Sequence, residues 1–137
     1  MAEVVLFHSA LGLGPGVIAA DRLRAAGHTV HTPDYYDGEV FDDLDDGLRK
    51  RDALGMDEIF ERAPEAVAGL PGELVFAGFS LGVMPAELLA APKPGAVRAV
   101  LMHSAVPVEA FSVERWPEGV PVQVHYAAND PQVEAEE

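Results

Sequence analysis

The sequence has no cysteine, only nine lysines and arginines in 137 residues, and no long apolar run. The lack of cysteine excludes disulfides, thiolate metal sites and a cysteine nucleophile, and it suits a reducing compartment. The nine basic residues stand against 23 acidic ones, a formal charge of −14. So acidic a chain repels phosphate backbones and anionic lipid surfaces, so neither nucleic acid nor a membrane is expected as a partner. Met1–Phe7 has no basic stretch ahead of its apolar run, and no run approaches the length of a membrane span. A cytoplasmic location is therefore the expectation. Internal repeats, low-complexity tracts and linkers are missing too. Hydrophobic residues make up 49% and charged residues 23%, which suits one globular domain over residues 1–137.

What is present is an alternation of short apolar runs with helical ones. Val4–Phe7, His28–Asp34, Glu73–Phe79, Ala96–Ser104 and Val120–Ala128 read as strands. Pro15–Ala26, Phe41–Leu54, Met56–Leu70 and Leu81–Ala91 read as helices, the first with Val17, Ile18 and Leu23 on one side. Strands alternating with helices predict an α/β fold, a doubly wound and mostly parallel sheet with helices on both faces. The sequence reaches Glu137 only one loop and one helical turn after the fifth strand. That strand is expected to form an apolar edge, with Val122, Val124 and Tyr126 on one face.

The chemistry is concentrated at Gly78–Gly82, where Ser80 stands between two glycines in a Gly-x-Ser-x-Gly run. The run joins a predicted strand to a predicted helix. A turn that tight holds its serine at positive φ and leaves no room for side chains two positions before and after. The serine then sits at a helix N-terminus, where the Leu81 N–H is placed to hold an oxyanion. Two other patterns carry less. Gly12–Gly16 follows a strand as a dinucleotide loop would, but Val17 stands at the third glycine position and Pro15 removes a donor. Asp42–Gly47 is acidic like a calcium loop, but its alternation and glycine register are wrong, and it reads as a solvated helix face.

The sequence resembles the dienelactone hydrolase family, of the α/β-hydrolase fold. "VVLFHSALGLGPGV" resembles the family's first strand and oxyanion loop, and "HTPDYYDG" its Pro-Asp-x-Tyr-x-Gly turn. "FAGFSLG" resembles the nucleophile elbow, and "VPVQVHYAANDPQV" the segment that carries the triad acid. The resemblance implies Ser80 as nucleophile, Asp130 as triad acid, and backbone N–H groups of Ala10 and Leu81 as the oxyanion hole. Founding members carry cysteine in place of Ser80 and glutamate in place of Ser9. The implied activity is therefore hydrolysis of small esters or lactones through an acyl-serine intermediate, without cofactor or metal.

In that family the triad histidine follows the acid, after one more strand. The resemblance thus places it beyond Glu137, with the last strand and helix. Of the histidines in hand, His28 and His31 fall on the second strand, away from Ser80. His125 reads as a packed strand residue. His8 and His103 close strands near Ser80 and, with Tyr35, are candidate pocket walls; His103 is also a candidate base. The rival reading is a non-catalytic fragment, a binding module, or one half of an assembly. In that case a complementing chain or a second copy covers the 120–128 edge.

Overall fold

The structure is a computed structural model and describes residues 2–14, 16–70, 73–90, 96–102 and 118–125, with 96–102 described by backbone alone. Five parallel strands run as β1 (Glu3–Phe7), β2 (Thr29–His31), β3 (Leu74–Phe79), β4 (Ala96–Met102) and β5 (Val122–His125), in the spatial order β2-β1-β3-β4-β5. β2 is laid on one side of β1 and β3 on the other, so the order reverses between β1 and β3. In an open parallel sheet this reversal opens a crevice at the strands' C-terminal ends, where ligands bind. The loop after β1 and the turn containing Ser80 both start at that crevice.

Alternation along the strands divides the core in two. Val5 and Phe7 of β1 join Leu74 and Phe76 of β3 on one face, and Val4 and Leu6 join Ala77 on the other. The first face is covered by α3 (Met56–Val67), through Ile59 and Ala63 at i, i+4, and by α4 (Val83–Ala90), through Val83, Ala86, Leu89 and Ala90. The second face is covered by α1 (Gly16–Ala25). The sequence suggests that α1 lays Val17, Ile18 and Leu23 inward, but the structure corrects this. Ala20 is fully buried and Leu23 partly buried, while Ile18 is 64% exposed. Small residues let the helix axis approach the sheet closely, and once Ala19, Ala20 and Leu23 face inward the helical period turns Ile18 outward. Beside α1 an apolar groove of about 350 Å³ stays open, lined by Val4, Leu6, Leu23, Val75, Ala77 and Phe79.

α2 (Leu44–Leu54) begins three residues later than the sequence reading. The Asp43 carboxylate accepts the Asp45 N–H at 2.8 Å and caps the helix there. Asp45 and Asp46 occupy the first turn, at the positive end of the helix dipole. Phe41 stays in the loop, its N–H donating to Leu11 O at 2.8 Å. The acidic run is therefore a helix start. In β5 all four side chains are exposed, among them Val122 at 40% and Val124 at 39%. His125 is solvent-facing, not packed, because no described element lies over β5. Residues 103–117 and 126–137 lie outside the described region, and with them Tyr126 and the expectation about the chain's end. Among the described residues no helix is long and apolar enough to cross a membrane.

The two exposures make a paired prediction. Ile59→Ala should cost about 3 kcal/mol in urea unfolding, by loss of buried methylenes and the cavity left behind. Ile18→Ala should stay within about 0.5 kcal/mol. Equal losses would mean that α1 packs through Ile18 after all.

Candidate active site

Ser80 has φ 51°, in the left-handed region that a residue with a Cβ seldom enters. Phe79 before it is still extended, at φ −108° and ψ 125°. Ser80–Gly82 then forms a single 3₁₀ turn, closed by the Val83 N–H on the Ser80 carbonyl, and α4 follows at once. The conformation costs on the order of 1–3 kcal/mol and persists only where its surroundings enforce it. Here two close approaches enforce it. A Cβ on Gly78 would collide with the Gly82 carbonyl, so the turn closes on itself. A Cβ on Gly82 would collide with the Phe7 carbonyl and stand 2.7 Å from the His8 carbonyl, so the turn is pressed against the end of β1. Leu81 is buried in the core and anchors the middle of the turn. Ser80 itself is half-buried.

The loop after β1 is fixed with equal economy. Ser9 O accepts the Gly12 N–H at 3.1 Å, and Ser9 Oγ accepts the Leu11 N–H at 3.2 Å. The buried Ala10 has its carbonyl against the Cα of Gly47 in α2, too close for any side chain there. Gly47 O in turn accepts the Tyr36 hydroxyl at 3.1 Å. Gly12, at φ 88°, packs against the Glu39–Val40 backbone, so protein fills the space beside it. Among the described residues none of the turn's hydrogen bonds takes up the Ala10 N–H.

His8 and Tyr35, the described candidates for pocket walls, are buried and stacked on each other, with ring centroids 3.7 Å apart and planes 14° apart. His8 Nδ1 lies 2.7 Å from Ser9 O, and Nε2 lies 3.2 Å from the Tyr35 backbone N. The Tyr35 hydroxyl donates to the His8 carbonyl. Burial pushes the His8 pKa below its ordinary 6.5, against the opposing pull of the Ser9 hydrogen bond and of Asp34, whose Oδ1 is 3.7 Å from Nε2. Burial raises the Tyr35 phenol well above its usual range and pushes Tyr36 up to about 12, so both remain hydroxyl donors. Both His8 nitrogens are engaged, so the ring is not free to take a proton from Ser80.

The remaining histidines are placed as follows. His28, just before β2, accepts the Ala2 N–H at Nδ1, and His31 Nε2 pairs with Glu3 Oε1 at 2.7 Å. His31 pairs with Val5, which is level with Phe76, so it sits at mid-sheet and away from the strands' C-terminal ends. His125 is level with Met102 and hence with Phe79, but two strands across. His103 and Asp130 lie outside the described residues.

The sequence reading missed the support under this site. Asp34 Oδ1 accepts the Tyr36 N–H at 2.8 Å, and Asp37 takes a left-handed φ of 56° before Gly38. Arg62 of α3 reaches over to bond Tyr35 O and Asp37 Oδ1, both at 3.1 Å. The Asp-Gly pair at 37–38 is a readable turn signal, but nothing in the sequence marks Arg62 as its partner.

A parallel sheet in this order, with a serine held at positive φ on the strand-to-helix turn beside the switch point, defines an α/β-hydrolase-type fold. The model of the dienelactone hydrolase family matches residues 1–137, and the chain belongs to that family. Among solved structures it is similar to one called m3DLH, with a TM-score of 0.75 and 25% identity over 98% of this chain and 60% of that one. It has the fold of a dienelactone hydrolase-like promiscuous phosphotriesterase, P91, from metagenomic libraries. There the TM-score is 0.74 and the identity 24%, over 99% of this chain and 61% of that one. The chain thus spans about three-fifths of the length of each. No curated protein matches the sequence.

Two outcomes check the geometry. Gly82→Ala should destabilise the fold by more than about 1 kcal/mol, because its Cβ meets fixed backbone of β1. Gly69→Ala, where a Cβ meets nothing, should not. The pH dependence follows from His8: unfolded, it binds a proton near 6.5, and folded, only at lower pH. Stability should therefore fall as pH drops below about 6.5. Urea unfolding at pH 7.5 and 5.5 should show a larger loss in the wild type than in His8→Gln.

Proposed function

We propose that this chain carries the nucleophile and oxyanion hole of a serine hydrolase acting on small carboxylic esters or lactones. The observation that carries the reading is the φ of 51° at Ser80, in a turn that Gly78 and Gly82 close. Ser80 Oγ attacks the carbonyl carbon, and the carbonyl π electrons move to oxygen. The resulting oxyanion is held by the N–H groups of Leu81, in the middle of the turn, and Ala10, in the loop after β1. The Ser80 hydroxyl proton passes to the general base and from it to the leaving oxygen, so collapse of the tetrahedral adduct expels the alcohol and leaves an acyl-serine, which water hydrolyses to the acid and free Ser80. Asp130 is the proposed triad acid. Of the described histidines, His8 is engaged on both nitrogens, His28 is bonded to Ala2 just before β1, His31 is bonded to Glu3 at the start of β1, and His125 is two strands away. The general base is therefore proposed to come from outside the described residues.

The exposed Val122 and Val124 support a second element of the proposal, a partner strand laid along β5, from a complementing chain or a second copy. Light scattering tests it: an assembly is expected, and a stable monomer would contradict it.

The nucleophile is tested with p-nitrophenyl acetate. An oxyanion hole without a complete triad still gives roughly 10³–10⁴-fold over water. Peptide mass spectrometry should therefore find an acetyl group on the peptide containing Ser80, and Ser80→Ala should abolish it. Acetylation confined to lysines, with release of p-nitrophenol unchanged in Ser80→Ala, would overturn the reading.

A further inference from the structure

A buried polar group that the chemistry above does not use is the imidazole of His8. Ser9 O can only accept, so Nδ1, 2.7 Å away, carries the proton. The Tyr35 N–H can only donate, so Nε2, 3.2 Å away, carries the lone pair. The ring is thus the neutral Nδ1–H tautomer, with each nitrogen paired in the one sense that its partner allows. Ser9 O and the Ala10 N–H belong to the same planar peptide unit and point in opposite directions. His8 Nδ1–H and the Gly12 N–H both hold Ser9 O, and in doing so they set the direction of the Ala10 N–H. His8 is itself tied down. Its ring is stacked on Tyr35, its carbonyl accepts the Tyr35 hydroxyl, and that carbonyl stands against Gly82 of the Ser80 turn.

We propose that His8 is a positioning residue that aims the Ala10 N–H at the oxyanion formed on Ser80. The proposal rests on the reading of Ser80 as nucleophile. It has a pH signature. The groups that face the ring are the Asp34 carboxylate, 3.7 Å from Nε2, and the Tyr35 and Tyr36 rings, with Arg62 and Asp37 behind Tyr35. Protonation of Nε2 sets an N–H against the Tyr35 N–H and turns the ring toward Asp34 Oδ1, which already accepts the Tyr36 N–H. Ser9 O then loses one of its two donors, and the Ala10 N–H loses its fixed direction.

The test uses ¹⁵N-labelled chain and benzeneboronic acid, which adds to a serine Oγ as a tetrahedral anion. In the wild type at pH 7.5 the Ala10 amide cross-peak should shift saturably with boronate, and in Ser80→Ala it should not. His8→Leu should weaken that response about tenfold or more, in keeping with the loss of an aimed oxyanion donor. His8→Gln, whose amide offers one donor and one acceptor, should recover most of it. As pH is lowered below the wild-type His8 ring's own titration, followed in the same spectra, the wild type should lose its response in step with it, while His8→Gln keeps its own. A folded His8→Leu that responds like the wild type would overturn the proposal. If His8→Leu does not fold, Tyr35→Phe and the wild-type pH series decide: a response unaffected by both would overturn it equally. A wild type that gives no Ala10 shift at any boronate concentration would sink the Ser80 reading first, and this inference with it.

Discussion

The contact between Gly82 and the carbonyls of Phe7 and His8 is the constraint on which the site depends. Two adjacent parallel strands lie about 4.8 Å apart, and the chain leaving β3 must turn into a helix without striking the end of β1. Only a residue without a Cβ fits at that junction. Closure of the turn then forces Ser80 to φ 51°, and the burial of Leu81 and Val83 holds it there. The strain at Ser80 is sustained by packing against the end of β1 and into the core on the face that α3 and α4 cover.

The same junction ties two loops into one object. β1 ends where β3 turns, so whatever orders the loop after β1 also orders the surroundings of Ser80. That ordering runs outward through polar contacts. Gly47 of α2 presses on the Ala10 carbonyl, Tyr36 bonds Gly47 O, and Tyr35 stacks on His8. The turn beneath is then gripped by Arg62 at Tyr35 O and Asp37, and by Lys50 at Asp37 and Glu39. In a chain of −14 net charge, two of its nine cations converge on this turn. The exposed ion pairs contribute little stability by themselves. Arg62 also satisfies a backbone carbonyl of the turn, which gives its position a structural reason beyond charge.

Much of this was legible in the sequence. The alternation of apolar and helical runs gave the parallel sheet, because a strand buried on both faces needs no polar side. The Gly-x-Ser-x-Gly spacing gave the turn, because only that spacing leaves room at Gly78 and Gly82. The inward face of α1 was misread, since hydrophobicity points to Ile18 whereas the close approach of helix and sheet selects Ala20. His125 was read as packed because its neighbours are apolar, but packing depends on what lies over β5, and local pattern does not encode that. His8 was read as a pocket wall. Its role depends on two partners, Ser9 O and the Tyr35 N–H, and backbone groups of that kind leave no trace in side-chain identity. Arg62 was invisible for the same reason, 27 residues from the carbonyl it bonds.

On the proposed reading, the closed turn and the loop after β1 together form one oxyanion site at Ser80. A crystal structure of the chain with benzeneboronic acid bound tests it most directly. The expected adduct has boron on Ser80 Oγ, φ of Ser80 still positive, and one boronate oxygen about 2.7–3.1 Å from the N–H groups of both Ala10 and Leu81. An adduct on another residue, or Ser80 relaxed to a negative φ with its boronate turned away from Ala10, would contradict it.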